Sequence, residues 1–436
     1  MKKKNPFQLV TPRIVRAGSQ TTITITPLFD HVRFNDQQTY LATLIPSEGL
    51  PDETAWPVDK KIPLTPEDGL LKVPCNFANE QEYLLLIETT HQNKLRPLAE
   101  FRLYALEDDL YQRRPYKGDM HIHSYYSDGK EAQAYVAGAC RRIGLDYLAV
   151  TDHGRYTPSL EAVRAFADLD VDLRVFPGEE VHPPDNRVHM VNFGGNFSVN
   201  ELFSTESYRA EVQAIADTLV DLPSGVDRYP YASCVWCFDK IRRAGGLGIY
   251  AHPYWFSEKR YDLPQTLASL VYERQPYDAL ELIGGYFRFE IESNVLQYAR
   301  YNEERLRGKR IPIVGVSDAH GCEVGELFGW GYTVVFSPSL ELPDLIRSIK
   351  DLYSVAIEAL PEQTPRPCGP FRLVKYCQFL LREVFPQHDE LCQEEGRLML
   401  AHLAGDQQAA GLLSAYKGRT AIYYDQLWGK EVIKYR

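Results

Sequence analysis

Residues 116–360 of this chain predict an α/β fold on a parallel sheet closed as a barrel, with a β-rich segment before it and helices after it. Three observations carry that expectation. Short apolar runs alternate with helix-like stretches from about residue 116. Several of those runs stop at a histidine or a carboxylate. The flanking segments differ in texture, with period-two alternation on one side and proline-marked helices on the other.

Taken in order, residues 1–115 read as strands. Thr21-Thr22-Ile23-Thr24-Ile25-Thr26 alternates with period two, and Tyr83-Leu84-Leu85-Leu86-Ile87-Glu88 is a second β-type run. A β-sandwich-like domain is the plain expectation, and no motif in it carries chemistry. Ala132–Ile143 and Leu160–Leu169 then read as helices, and Tyr147–Val150 and Leu173–Phe176 as strands. Leu247–Tyr250, Ala279–Ile283 and Ile311–Val316 are further strand candidates. Pro361, Pro365, Pro367 and Pro370 mark a linker into a helical segment, 361–436, with helices expected over Phe371–Phe385 and Leu391–Leu403.

Composition narrows the function classes. With 44% apolar and 25% charged residues over 436 positions, the chain can bury a core and is not mainly disordered. It has no run of about 20 apolar residues of the kind a membrane span needs. Met1-Lys2-Lys3-Lys4 resembles the basic start of a signal peptide, but polar residues and prolines follow, so the expected location is the cytoplasm. The net charge of −11 argues against a broad nucleic-acid footprint. Eight cysteines are too few for a disulfide scaffold of this length, and Cys234-x-x-Cys237 lacks the second pair of a zinc ribbon.

The histidines are the main signal. Of 11 in the chain, six fall where strands of the middle segment are expected to end. His121-Ile122-His123 places two imidazoles two residues apart, on one face of an extended chain, and Asp128 in the next loop can turn back with an oxygen. Alone, that pattern is equally a pair of surface histidines beside a turn. Thr151-Asp152-His153 follows an apolar strand, with His153 the ligand candidate and Asp152 facing the other side as a brace. In Gly178-Glu179-Glu180 one of the two glutamates faces the site. His189 lies in an alternating run, His252 precedes Pro253, and Asp318 and His320 repeat the two-residue spacing. Packing gives no reason to bring nine such ligands to one rim, where unpaired charges would need solvating. The set contains nitrogen and oxygen donors and no thiolate, which suits zinc, manganese or iron. It exceeds the roughly three or four donors of one catalytic zinc and fits two or three divalent ions.

These clusters, in this order, resemble the PHP (polymerase and histidinol phosphatase) family over about residues 116–355. The resemblance implies a distorted (β/α)7 TIM-like barrel and a three-metal centre. It selects Glu180 over Glu179. It implies one ion on His121, His123, Glu180 and Asp318, a second on Glu180, His189 and His252, and a third on Asp128, His153 and His320. The implied activity is phosphoester hydrolysis, with a hydroxide bridging the first two ions as nucleophile. Asp318, His320 or a metal-bound water would protonate the leaving oxygen, and Glu180 would bridge.

The expected substrate is a small phosphorylated metabolite or nucleotide. Arg155, Arg187 and Arg288 are candidates to meet its phosphate, although each is equally readable as a solvated surface arginine. Gly225–Tyr231, Tyr254-Trp255-Phe256 and Tyr286-Phe287 are candidates for an aromatic lid, with ordinary loop packing the plainer reading. His182, two residues past Glu180, is a candidate to touch the site, with a satisfied histidine the plainer reading, and Glu281, at the end of an apolar strand, is a candidate brace. Two other functions compete: a nuclease or DNA-repair enzyme of the same metal class, and a binding protein whose metal centre is structural.

Overall fold

The period-two run at Thr21–Thr26 lies within the strand Ser19–Pro27, whose Ile23 and Ile25 are fully buried. In the computed structural model, which describes residues 8–49, 60–92, 94–323 and 327–430, this strand sits between Gln8–Thr11 and Leu71–Phe77 in a three-stranded sheet. A five-stranded sheet follows, in the order Ile14–Arg16, Lys94–Leu106, Gln81–His91, Tyr40–Pro46 and Ile62–Leu64. Alternation gives each sheet one apolar face: Leu71–Phe77 buries every second side chain. The two faces share one core, in which Ile23, Val73 and Phe77 cluster with Tyr83, Leu85 and Phe101.

The chain divides into two compact units. One comprises Met1–Arg114, Gln378–Pro386 and Gly418–Arg436, and the other Pro115–Cys377 and Gln387–Lys417. The expected helical tail contains helices Phe371–Glu383, Phe385–Leu403, Ala409–Tyr416 and Arg419–Leu427, and its residues are shared between both units. Within the stretch expected as a linker, Arg366–Cys368 is a strand that pairs antiparallel with Ser354–Glu358.

The second unit is mixed α/β. A six-stranded sheet runs in the order Arg174–Phe176, Tyr147–Ala149, Arg114–Asp119, Gly331–Ser337, Ser354–Glu358, Arg366–Cys368. A five-stranded sheet runs in the order Gly178–Val181, Met190–Phe193, Leu247–Tyr250, Ala279–Ile283, Ile313–Gly315. Two isolated parallel bridges, Ile122 with Ala319 and His153 with Glu180, join one sheet to the other. The strands thereby curl around a core that includes Met120, Tyr147, Val191, Ile249 and Val314.

The expectation of a parallel sheet needs correction. Met190–Phe193 pairs antiparallel with both Gly178–Val181 and Leu247–Tyr250, and Gly331–Ser337 pairs antiparallel with Ser354–Glu358. For Met190–Phe193 against Gly178–Val181 the cause is connection length. The loop from Val181 to Met190 is too short for the crossover of a dozen or more residues that a parallel neighbour requires. The register sets Val181, Met190 and Tyr250 side by side. The start of Met190–Phe193 therefore lies at the same end of the sheet as the finish of its neighbours.

The long stretch between His189 and His252 holds helices Ser207–Thr218 and Arg228–Arg243. Gly225–Tyr231 is not a lid. Asp227 caps the second helix by accepting from the Tyr229 N–H at 3.0 Å, and Tyr231 is buried. Cys234 and Cys237 are buried, unpaired thiols in that same helix, and burial pushes both upward in pKa. No helix among the described residues is long and apolar enough to cross a membrane.

One charged cluster is buried away from the histidine rim. Arg141, 0% exposed, donates to Glu395 Oε2 at 2.6 and 2.8 Å and to Asp146 Oδ1 at 3.0 Å. His388 Nε2 approaches the same Asp146 oxygen at 2.9 Å. Removing one partner leaves the others buried without compensation. Arg141→Met is therefore expected to lower stability by about 3–5 kcal/mol in urea unfolding. A loss within about 0.5 kcal/mol, the range of ordinary surface changes, would show that the cluster is not needed.

Candidate metal centre

Strand ends deliver the donors. Past Asp119 the chain stays extended through His121, Ile122 and His123, held by the Asp318 N–H to the His121 carbonyl and the His123 N–H to the Ala319 carbonyl, both 2.9 Å. His153 follows Tyr147–Ala149, and the Gly154 N–H donates to the Glu180 carbonyl at 2.9 Å. His252 follows Leu247–Tyr250, and Asp318 and His320 follow Ile313–Gly315. His189 arrives differently. It precedes its antiparallel strand, and the register places that start beside the ends of the others.

All nine expected donors come together. Glu180, 0% exposed, is the hub. Its Oε2 lies 2.7 Å from His153 Nδ1, 3.3 Å from His121 Nε2 and 3.6 Å from His123 Nε2. Its Oε1 lies 3.0 Å from His189 Nδ1 and 3.2 Å from His252 Nε2. Asp318 Oδ1 is 2.9 Å from His123 Nε2 and 3.3 Å from His121 Nε2. Asp128 Oδ1 is 3.3 Å from both His153 Nε2 and His320 Nε2. Burial is graded: His121 and His123 side chains are 0% exposed, whereas Asp128 is 57% and His153 28% exposed. The cluster opens to solvent on the Asp128 side.

The backbone is strained at two of these positions. His252 has φ 23° and Asp318 φ 49°, in the left-handed region that β-carbon-bearing residues avoid. Such strain persists only where surrounding structure holds it, and it concentrates at functional sites.

Neighbouring carboxylates fix the segments. Asp152 accepts from Ser124 N–H at 2.8 Å, Ser124 Oγ at 2.6 Å and Ser127 Oγ at 2.7 Å, bracing the loop that carries Asp128. Glu179 faces away from the hub and accepts from Ser198 Oγ at 2.7 Å, Asn200 Nδ2 at 2.8 Å and Asn192 Nδ2 at 3.2 Å. Asp119 escaped the sequence reading, and a site role for His182 is there only the less favoured of two readings. Asp119 accepts from the His121 and Ser317 N–H groups at 3.2 Å, tying the first histidine segment to the last. His182 lies with Nε2 2.8 Å from His153 Nδ1 and 3.3 Å from Glu180 Oε2. The available signal for His182 was its spacing of two residues from Glu180, which sets both on one strand face.

The candidate phosphate contacts are less organised. Arg187 pairs with Asp262 Oδ1 at 2.6 Å, and Arg155 and Arg288 are exposed. Aromatic rings do reach the rim: Trp255 lies 5.7 Å from the His189 ring and 5.8 Å from that of His252, and Tyr286 lies 5.6 Å from His320.

Electrostatics shows what the cluster lacks. Burial works against an ionised Glu180, yet His121, His189 and His153 hold its carboxyl well below the usual range. Asp318 is likewise held low against burial, by His121 and His123. Burial drives His123 down to about 3 and His189 down to about 4. Burial also opposes charge on His153 and His252, but Glu180 raises them to about 10 and about 9. Imidazolium protons thus supply the positive charge that the buried carboxylates demand. A divalent cation supplies it more directly. His121 Nε2, Glu180 Oε2 and His189 Nδ1 are buried without a hydrogen-bond partner. Donors about 2.0–2.2 Å from one ion stand roughly 3–3.5 Å apart, close to the separations observed between these atoms. The residues fit a divalent metal.

No family model matches the chain. Over 57 residues it is 39% identical to the DNA polymerase/3′-5′ exonuclease PolX of Bacillus subtilis, a stretch covering 13% of this chain and 10% of that protein. Among solved structures it is similar to a two-domain protein of Bacteroides vulgatus containing a predicted PHP-like metal-dependent phosphoesterase, at TM-score 0.35 and 14% identity, covering 56% of this chain and 65% of that one. It is also similar to a protein of Bifidobacterium adolescentis proposed to be a metal-dependent phosphoesterase, at TM-score 0.31 and 19% identity, covering 48% and 88%. A third likeness is to an amidohydrolase of Chromobacterium violaceum, at TM-score 0.31 and 19% identity, covering 47% and 87%.

Neutral imidazole is the form that binds metal, so protons on His153 and His252 compete with the ion. Raising the pH toward their values of about 10 and about 9 removes that competition. Apparent affinity for Mn2+ or Zn2+ should therefore climb between about pH 6 and 9, with proton release visible as a buffer-dependent heat in calorimetric titration. His252→Ala should lower bound metal by elemental analysis while the circular dichroism spectrum stays native. PH-independent affinity, or full metal content in that variant, would contradict the ligand set.

Proposed function

We propose that the chain is a metal-dependent phosphoesterase that hydrolyses a small phosphorylated metabolite or nucleotide at a centre of two or three divalent ions. One observation carries the reading: five imidazoles of the expected set converge on the two oxygens of the fully buried Glu180. In this reading the curled sheets form the distorted seven-stranded barrel of the PHP resemblance, and the two sheets of the first unit form a sandwich-like domain. His121, His123, Glu180 and Asp318 hold one ion. Glu180, His189 and His252 hold the second, and Asp128, His153 and His320 the third. Zinc, manganese and iron all suit this donor set.

When bound, such ions lower the pKa of an attacking water and neutralise phosphate oxygens. The chain's residues do the rest. Glu180 bridges with one oxygen toward each inner group of imidazoles. His121 and His123 keep Asp318 ionised, which suits it to hold an ion and to orient the nucleophile by accepting a hydrogen bond. His320 stands beside it at the solvent side, its Nδ1 fixed by the Asp318 carbonyl oxygen at 2.7 Å, and is the better placed of the two to serve the leaving oxygen. Trp255 and Tyr286 wall the rim against the ligand rings. Arg155 and Arg288, exposed beyond His153 and the Ala279–Ile283 strand, are the candidates for outer phosphate contact.

A nuclease is the second reading, favoured by the short match to PolX and disfavoured by the net charge of −11. Assays with Mn2+ or Zn2+ on p-nitrophenyl phosphate, nucleoside monophosphates and single-stranded oligonucleotides separate the two. The monoesters should turn over, a chelator should abolish that turnover, and added ion should restore it. Asp318→Asn should cut kcat by at least about 100-fold. Turnover of oligonucleotides alone would select the nuclease. Tight metal binding with no turnover of any of these substrates would select a structural centre.

A further inference from the structure

Glu281 is a buried carboxylate for which the ligand set gives no use. It lies on the strand Ala279–Ile283 between Leu280 and Leu282, and it is 0% exposed. Its Oε2 is 3.0 Å from His121 Nδ1, on a ring that is itself 0% exposed. Its Oε1 has no hydrogen-bond partner. A carboxylate left in such a place costs several kcal/mol unless positive charge reaches it.

The surroundings have been shaped to keep it there. A β-carbon on Gly284 would stand 2.0 Å from Glu281 Oε1, so only glycine leaves room for the carboxylate at that turn. Gly284 is locked in turn, with its N–H donating to Asn294 Oδ1 at 3.0 Å and its carbonyl accepting from Asn294 Nδ2 at 2.9 Å. Across from Glu281, the other ring nitrogen of His121 points at Glu180 Oε2 and Asp318 Oδ1, 3.3 Å from each, and has no hydrogen bond.

We infer that Glu281 is the positioning residue of the centre: by accepting the Nδ1–H of His121 it fixes that ring's tautomer and orientation, so that the Nε2 lone pair faces the ion shared with Glu180 and Asp318. The inference rests on the metal-centre reading above. A carboxylate behind a ligating imidazole raises the basicity of the ring and sets its direction, and losing one typically weakens metal binding about 10–100-fold. It also gives the charge of Glu281 a partner, since the ion's positive charge reaches it through the ring.

The test measures metal binding rather than turnover. Full-length wild type, Glu281→Gln and Glu281→Ala are stripped with chelator and titrated with Mn2+ and separately with Zn2+, and thermal unfolding of each metal-free protein is recorded. Glu281→Ala should bind the tightest ion about 10–100-fold more weakly. Glu281→Gln, which keeps an acceptor for the Nδ1–H but loses the charge, should fall between it and wild type. The metal-free Tm of Glu281→Gln, which keeps the shape and an acceptor, should stay near that of wild type, whereas Glu281→Ala also opens a cavity and is read for affinity alone. A merely structural role gives the opposite pattern, with a lowered metal-free Tm and unchanged affinity, and that result would overturn the inference. Wild-type affinity in Glu281→Ala would overturn it as well. A wild-type protein that binds neither ion would sink the metal centre itself, which separates the two failures.

Discussion

A carboxylate with no access to water must be given positive charge, and Glu180 is placed where only imidazoles can give it. Most features of the second unit follow from that demand. Six histidines within ion-pair distance of Glu180 cannot all be protonated, because they repel. The cluster therefore settles with some rings driven down by burial and others raised by Glu180. This is an unstable compromise for protons and a comfortable one for divalent cations. The buried cluster at Arg141 shows the contrast: there a guanidinium faces carboxylates in fixed geometry, and no orphan nitrogen remains to be explained.

The fold answers the same demand topologically. The two sheets of the unit are joined by isolated bridges at Ile122–Ala319 and His153–Glu180, and these bridges lie within the donor segments themselves. The seams of the curled structure and the candidate centre are thus one place. A perturbation that opens either seam moves donors, and an ion bound at Glu180 would tie both sheets together. The left-handed φ at His252 and Asp318 belongs to this arrangement, since a relaxed backbone there would swing each donor away from the hub.

What the sequence revealed depended on how directly residues report their surroundings. The strands Leu247–Tyr250 and Ala279–Ile283 were legible to the residue, because short apolar runs flanked by turn and helix signals have few other meanings. The donors were legible because histidine and carboxylate are rare at strand ends. Strand direction was not. Met190–Phe193 reads like its neighbours, and only the length of the preceding loop shows that it must run backwards. The helix Arg228–Arg243 was hidden by its aromatic start, which resembles a loop until Asp227 is recognised as a cap. His182 could be singled out by its spacing from Glu180 but not decided, because its role depends on His153, which arrives from a different strand. The fate of Glu179 against Glu180 shows the limit of local reading. Alternation says that the two face opposite ways, but not which way is inward.

That alternation organises more than one pair. Beside Glu180 stands Glu179 and beside His153 stands Asp152, each facing the other way, while Asp119 lies two residues before His121. Each of these carboxylates is taken up by hydroxyl, amide or backbone N–H donors of another segment. Asp119 reaches Ser317, Asp152 reaches Ser124 and Ser127, and Glu179 reaches Asn192, Ser198 and Asn200. Every donor-bearing segment in this group therefore carries a second acid that anchors it to the next one. Donor atoms for an ion must be held to within a few tenths of an ångström, and long side chains on free strand ends do not achieve that. Anchoring through short, charge-assisted hydrogen bonds does, and it explains why carboxylates without a ligand's position are nonetheless buried around the rim.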